Sequence, residues 1–368
     1  MTERPTVLIV LDARLRERFL APADLERLQR LAQVEYLDLP GRPGNDRFFA
    51  NDDPAAAGAL RARLADVDAL IVCHGAPRVT GDLMDAAPRL QLIGELEGDR
   101  FGYRIDAEAA WERGIRTVDT TNGSSYPVAE WALALLILSL RNAGAHFRNM
   151  IQPITFQSRD LDSSFPAGEL YGTSVGLIGC GHIGRRLIKF LKAFECPVMV
   201  YDPYVGKDLA DALGFLQTTL EHVLADNDAV VSLVPQTPRT EGMIGVAQLD
   251  LLRPGSVFVN VSRGKVVDSA ALVARLRRGD ICAGLDVFDP EPIPGDHPIK
   301  TLPNVFLTPH IASRQERRSG RFFSLMVDEL ERHFAGHETL FDLTPKTLAD
   351  REGAALQSRV SRELQGTA

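Results

Sequence analysis

The stretch that most constrains the fold is residues 175–202, VGLIGCGHIGRRLIKFLKAFECPVMVYD. Val175 to Ile178 is a short apolar run, as a buried strand requires. Gly179, Gly181 and Gly184 follow in the spacing G-x-G-x-x-G. The first glycine permits a tight turn out of the strand. The second leaves room for a pyrophosphate against the backbone, and the third lets a helix pack close to the strand. Ile183, Leu187, Ile188 and Leu191 then recur at helical spacing, and the helix start offers unpaired N–H groups and a positive dipole end. A second apolar run, Pro197 to Tyr201, ends in Asp202, about where a carboxylate bonds a ribose 2′-hydroxyl. Glycines alone mark ordinary turns. It is the order strand, glycine turn, helix, strand, acid that reads as a dinucleotide-binding βαβ unit, with His182 and Ile183 opening the helix. Asp202 would repel a 2′-phosphate and no arginine follows it directly, so NAD(H) is favoured over NADP(H).

The rest of the chain alternates in the same way. Apolar runs at Val7–Leu11, Val34–Leu39, Ala69–Cys73, Leu90–Ile93 and Ile115–Val118 read as strands. Helical patterns lie between them, and Gly41–Pro54 reads as a loop. Strand and helix then repeat from 173 to 309. Residues 146–171 read as irregular, 315–334 as a helix, and 343 onward as a weakly patterned tail. The expected fold class is α/β: two Rossmann-like or flavodoxin-like doubly wound parallel-sheet domains. One comprises residues 1–119 and 316–350. The dinucleotide domain, 120–315, is inserted in it, and 351–368 is a C-terminal tail.

At 368 residues the chain has room for two domains, and a net charge of -8 supplies no basic stripe for nucleic acid. Cys73, Cys180, Cys196 and Cys282 form no C-x-x-C pair. They suggest neither a zinc site nor disulfides, but free thiols in a reducing, cytoplasmic compartment. Cys180, inside the glycine turn, reads as a small filler. Residues 1–11 carry no secretory signal pattern. The most apolar run, Trp131 to Leu140, is flanked by Glu130 and Arg141 and is shorter than a membrane span, so it reads as a buried helix.

Charged groups gather at strand ends in the inserted domain. Arg263 follows Val257–Val261, Asp286 and Glu291 end and follow Ala283–Val287, and His310 follows Val305–Thr308. In such sheets ligands bind beyond the carboxyl ends of the strands. Hydride transfer to a carbonyl needs a cation for an anionic substrate, a proton donor, and a group that tunes the donor; Arg, His and Glu are that set. Taken singly, Arg263 suits a surface ion pair, His310 a helix cap, and Asp286 and Glu291 loop carboxylates; their order and context favour the chemical reading. His74, closing Ala69–Cys73, suits a substrate contact and a strand-ending histidine equally, and no catalytic role is assigned to it.

Several segments together resemble one family. VGLIGCGHIG with YDP is similar to a cofactor segment, VFVNVSRGKVVDSAAL to an arginine segment, AGLDVFDPEPIP to a glutamate segment, LTPHIA to a histidine segment and PVAEWALALL to a domain-crossing helix. Over roughly residues 85 to 330, in the same order, the chain resembles the D-isomer-specific 2-hydroxyacid dehydrogenases, which include glyoxylate/hydroxypyruvate reductases and phosphoglycerate dehydrogenases. The first 80 residues match only in architecture. The resemblance implies NAD(H)-dependent interconversion of a D-2-hydroxyacid and its 2-oxoacid, a substrate domain at 1–119 and 316–350, and a homodimer through the inserted domain. It implies His310 as general acid and base, and Glu291 as its orienting partner, whose charge favours imidazolium. It implies Arg263 on the substrate carboxylate and carbonyl oxygen. Asp286 would meet the nicotinamide carboxamide, Pro235 would lie near the adenosine, Val261 and Ser262 along the cofactor, and His182 and Ile183 at the pyrophosphate.

The chain departs from the family where a compact glycine-rich loop normally binds the substrate carboxylate. Here it reads GELEGDRFGYRID, about two residues longer, with Glu95, Glu97, Asp99 and Arg100. Carboxylates beside an anionic substrate are unfavourable unless they point away or meet a cationic or polyhydroxy portion. Arg100 or the Glu97–Gly98 backbone is the candidate replacement for the usual loop contacts. Tyr126 suits a substrate contact and a packing role alike, and Trp131 is a bulky aromatic placed to line a cleft. Two competing readings carry the same fold. One is an NAD(H)-sensing binding protein of the corepressor type. The other is a formate- or phosphite-type dehydrogenase, of which the formate type is disfavoured by Glu291-Pro292.

Overall fold

In the computed structural model, residues 4–42, 49–97, 104–155, 157, 168–314 and 320–352 are described. The chain divides into two units, Met1–Ser124 with Gln315–Leu348, and Ser125–Arg314 with Ala349–Ala368.

The first unit is built on five strands: β1 (Thr6–Leu11), β2 (Gln33–Asp38), β3 (Ala69–Val72), β4 (Leu92–Glu95) and β5 (Arg116–Asp119). They pair in the order β2-β1-β3-β4-β5, all parallel, the flavodoxin-type arrangement. The continuous apolar run of β1 follows from burial on both faces. Val7, Ile9 and Leu11 join Phe19, Leu28, Phe323 and Met326 on one side; Leu8 and Val10 join Leu60, Leu64 and Leu83 on the other. The helix Gly320–Phe334 lies so close to β4 that a Cβ at Gly94 would stand 2.3 Å from the Met326 methyl. Its fully buried Glu329 accepts the backbone N–H groups of Leu340 at 2.6 Å and Phe341 at 3.1 Å. Those contacts hold the chain where Asp342 forms an antiparallel bridge to Val118 of β5.

The second unit carries seven strands: β6 (Val175–Ile178), β7 (Val198–Tyr201), β8 (Leu216–Gln217), β9 (Ala229–Ser232), β10 (Val257–Asn260), β11 (Cys282–Leu285) and β12 (Val305–Leu307). Their order is β12-β11-β10-β9-β6-β7-β8, parallel throughout. The direction of winding reverses between β6 and β9, which makes that edge the topological switch point. Helix α1 (Ser125–Leu140) packs on β10, β11 and β12, with Ala132, Leu135 and Leu136 fully buried. The approach is tight because Gly284 of β11 has no side chain; a Cβ there would lie 2.7 Å from Ser139 Oγ. The longer run Thr121–Leu140 is long and apolar enough to cross a bilayer, so the apolar stretch is longer than Trp131–Leu140 alone suggests. Half of it is buried inside the protein, as in a core helix.

Two expectations are corrected. Residues 146–171 were expected to be irregular throughout, yet α2 (Ala143–Met150) is a helix. Its propensity is modest, and packing decides the outcome. Gly144 sits against β12, where a Cβ would meet Val305 O at 2.3 Å, and Arg148 donates to the carbonyls of Leu302, Pro303 and Val305 at 2.9, 3.0 and 3.2 Å. The stretch after 343 was expected to be a weakly patterned tail, but Pro345–Glu352 is helical. Thr344 and Thr347 start it by exchanging side-chain-to-backbone hydrogen bonds at 2.7 and 3.1 Å, a capping arrangement that offsets a poor helical pattern. Residues 315–319, expected to open the helix that ends at Phe334, lie outside the described residues.

Candidate active site at the strand ends of the second unit

The glycine turn leaves β6 at the switch point and enters α3 (His182–Lys192). Its three glycines do different things. Gly179 adopts φ +101°, which a side chain tolerates poorly. A Cβ at Gly184 would stand 2.7 Å from Gly179 O, so this glycine sets how closely helix and turn approach. A Cβ at Gly181 would meet nothing within 4 Å, so the turn faces open space where a phosphate can come against the backbone. His182 and Ile183 open the eleven-residue helix beside that space. Asp202, just after β7, accepts the Cys180 N–H at 2.7 Å on one carboxylate oxygen and the Tyr204 N–H at 2.9 Å on the other. Each oxygen keeps accepting capacity for a ribose hydroxyl. The residues present therefore fit a dinucleotide. Burial and the Asp202 charge push the Cys180 thiol up to about 11, so it is a neutral filler rather than a nucleophile.

The β9 and β10 ends continue the same edge. Pro235 follows β9, and its carbonyl accepts the Thr240 hydroxyl at 2.6 Å. Val261 and Ser262 are buried just after β10. The Ser262 hydroxyl lies 3.1 Å from that of Ser232 and donates to Asn260 Oδ1 at 2.8 Å. Asn260 in turn donates to the Arg263 carbonyl at 3.2 Å, and Arg263 Nη1 donates to Ser262 O at 2.7 Å. The arginine is thus held by its own turn.

Past β11 and β12 come the acid and the imidazole. His310 Nδ1 is hydrogen-bonded to Glu291 Oε1, and both side chains are a little over one-third exposed. Burial pushes the Glu291 carboxyl up. The His310 hydrogen bond and charge, the Phe288 main chain and the Arg263 charge outweigh it, so Glu291 titrates below the ordinary glutamate value. Arg263, Glu291 and His310 therefore form one electrostatic group at the ends of three neighbouring strands. His310 has φ +54°, a left-handed conformation uncommon for a side-chain-bearing residue. Asp286 is fully buried. It accepts Thr308 Oγ1 at 2.5 Å and the N–H groups of Ile311 and Ala312 at 2.9 Å each, while its carbonyl accepts the His310 N–H at 2.8 Å. Sequence reasoning missed this clamp. The residues concerned were in view in LTPHIA, but nothing in their spacing says which donors turn back onto Asp286.

Tyr126 lies at the start of α1, where the Arg186 guanidinium stacks 3.3 Å from its ring centroid and Arg186 Nε donates to Ser125 Oγ at 2.6 Å. Gly98 and Arg100 lie outside the described residues. In the first unit, the neighbouring carboxylates are taken up internally. Glu95 pairs with Arg104 at 2.5 Å, both buried, and Glu97 pairs with buried His74. Two of the loop charges that conflict with an anionic ligand are thus met by cationic or protonatable partners. Among the described residues, no group of His, Cys, Asp and Glu is arranged to hold a metal ion.

A family model described as "D-isomer specific 2-hydroxyacid dehydrogenase, NAD binding domain" matches residues 133–312. The glyoxylate reductase of Korarchaeum cryptofilum is 32% identical over 288 residues, covering 77% of this chain and 84% of that protein. The D-3-phosphoglycerate dehydrogenase of Methanocaldococcus jannaschii is 34% identical over 282 residues, covering 75% of this chain and 52% of that protein. The chain thus spans about half the length of that relative. A crystal structure of a phosphoglycerate oxidoreductase from Rhizobium etli shares the fold, with TM-score 0.75 and 22% identity over 92% of this chain and 98% of that one. With two parallel-sheet α/β units and a dinucleotide turn at the switch point of the second, the chain belongs to the D-isomer specific 2-hydroxyacid dehydrogenase family, and the second unit contains its NAD-binding domain.

Proposed function

We propose that this protein is an NAD(H)-dependent dehydrogenase that interconverts a D-2-hydroxyacid and its 2-oxoacid. The observation that carries the proposal is the His310–Glu291 pair, with the charge of Arg263 acting on the same carboxylate. Glu291 occupies Nδ1 of the imidazole, which leaves Nε2 to give a proton to the carbonyl oxygen during reduction and to take it back during oxidation. Arg263 offers a planar fork to the substrate carboxylate and stabilises negative charge developing on the carbonyl oxygen. Gly179, Gly181, Gly184, His182 and Ile183 would hold the pyrophosphate and Asp202 the ribose, while Pro235, Val261 and Ser262 would line the remainder of the cofactor site and buried Asp286 would support the turn beside it. Bound NADH supplies the hydride to the carbonyl carbon.

Tyr126 stands as a substrate-side candidate together with Gly98 and Arg100. Four exposed apolar side chains on and just after α2, namely Phe147, Met150, Ile151 and Ile154, support a homodimer through the second unit. Four free, buried cysteines suit a reducing, cytoplasmic setting.

The test is NADH oxidation against a panel of 2-oxoacids, with glyoxylate, hydroxypyruvate and longer or sugar-derived oxoacids included. Turnover that His310→Ala lowers by about 10²-fold or more supports the proposal. Silence across the panel, with tight NADH binding, overturns it in favour of a sensor.

A further inference from the structure

His310 has to hold an unfavoured backbone conformation while presenting its ring, and something has to keep it there. The clamp on the turn is Asp286, whose three side-chain hydrogen bonds all come from residues 308–312. The clamp is itself held from α1. The Trp131 indole N–H donates to Thr308 Oγ1 at 3.2 Å, and the same hydroxyl donates to Asp286 Oδ1 at 2.5 Å. A hydroxyl has one proton. With the indole N–H supplying one bond, that proton is left for the carboxylate, so the chain runs in one direction: indole, hydroxyl, carboxylate.

The His310 N–H closes the turn by reaching both Asp286 O at 2.8 Å and Thr308 O at 3.0 Å. Trp131 is partly buried, and the helix bearing it is pressed against β11 at Gly284. The indole therefore has a fixed platform.

We infer that Trp131 and Thr308 are positioning residues for His310: the indole–hydroxyl–carboxylate chain fixes the 308–312 turn and so the direction of the imidazole. A packed indole N–H takes an acceptor wherever it lies; here the acceptor is the hydroxyl that bonds Asp286, and phenylalanine would fill much of the same space without the donor. The function of the indole here is its single donor, which a large rigid side chain carries across from α1.

The inference rests on the proposed dehydrogenase reading, and its test separates the two. The variants are Trp131→Phe, Thr308→Val and Thr308→Ser in the full chain. The first readout needs no turnover: the His310 ring resonances of histidine-labelled protein, assigned by their loss in His310→Gln, followed through a pH titration. Thr308→Val and Trp131→Phe are expected to move those resonances and the titration midpoint, and Thr308→Ser to restore them. The second readout is kinetic, with kcat down about tenfold in Thr308→Val and about threefold in Trp131→Phe, and KM for NADH within about twofold of the parent.

Unchanged His310 resonances in both Thr308→Val and Trp131→Phe overturn the inference. So do equal changes in Thr308→Ser and Thr308→Val, which mark general loosening of the turn. If the parent turns over no 2-oxoacid while the resonances respond as expected, the enzyme reading fails and the positioning chain stands.

Discussion

Gly264→Ala adds one methyl group next to the arginine, at a point where there is no space for it. A Cβ at this position would lie 1.8 Å from the Phe288 carbonyl oxygen and 1.9 Å from its carbon. Both are main-chain atoms, so no side chain can rotate away. Opening the contact from 1.8 Å to the 3.0 Å limit of real Cβ contacts moves one segment by about 1.2 Å. The segments that meet here are the Arg263–Gly264 turn and the Phe288–Asp289 loop, which leads to Glu291 three residues on. A misplacement of about 1 Å in a reacting group costs on the order of 10²-fold in rate, or about 2.7 kcal/mol of barrier. Overpacking adds about 1–3 kcal/mol of lost stability, so a thermal melt must first show that the variant is folded at the assay temperature. The assay is steady-state NADH oxidation with the best 2-oxoacid of the panel, beside NADH binding followed by fluorescence. The expected result is a fall in kcat/KM of about 10²-fold with a smaller loss of NADH affinity, because Gly179–Gly184 and Asp202 follow other strands while only Val261 and Ser262 adjoin the displaced turn. A kcat/KM within about threefold of the parent would refute the reasoning, since Arg263 would then tolerate a displaced turn.

Three further outcomes are expected. Glu291→Gln should lower kcat by about 10²-fold. Its effect on stability should depend on pH, since the folded-state pKa of Glu291 lies below the ordinary value. The stabilisation is then fully present above the unfolded value of about 4.3 and is lost as pH falls through the folded one, so parent and variant melting temperatures should converge on acidification. Glu329→Ala removes the buried carboxylate that accepts the Leu340 and Phe341 N–H groups and should cost about 1–3 kcal/mol in denaturant unfolding of the first unit. A cofactor titration should favour NADH over NADPH, and Asp202→Ala should narrow that preference by weakening NADH binding about tenfold or more; an NADPH preference in the parent would refute the role given to Asp202.

The parts of the fold that were legible in the sequence are those set by short-range pattern. The β6–turn–α3–β7 segment could be read because each glycine does a local job and the apolar runs have strand or helix period. The 143–150 helix could not, since its start depends on Gly144 meeting the Val305 carbonyl, a contact 161 positions away in the chain. Arg263, Glu291 and His310 were legible as strand-end residues with matching chemistry. Their support was not: the Trp131–Thr308–Asp286 chain is joined to α1 by a hydrogen bond between residues 177 positions apart, and only packing of α1 on β11 and β12 brings them together. Similarly, the sequence leaves open whether Glu95 and Glu97 point away from a ligand or meet a cationic portion of it, because it does not say that Arg104 and His74 take them up.

Hydride transfer can be followed directly by giving the enzyme a 2-oxoacid and NADH carrying deuterium at both C4 positions of the nicotinamide, then examining the product by mass spectrometry and chiral chromatography. The proposed chemistry requires a 2-hydroxyacid of D configuration with one deuterium at C2, formed at a rate that His310→Ala nearly abolishes. An L product, a product without deuterium at C2, or undiminished turnover in His310→Ala would contradict it.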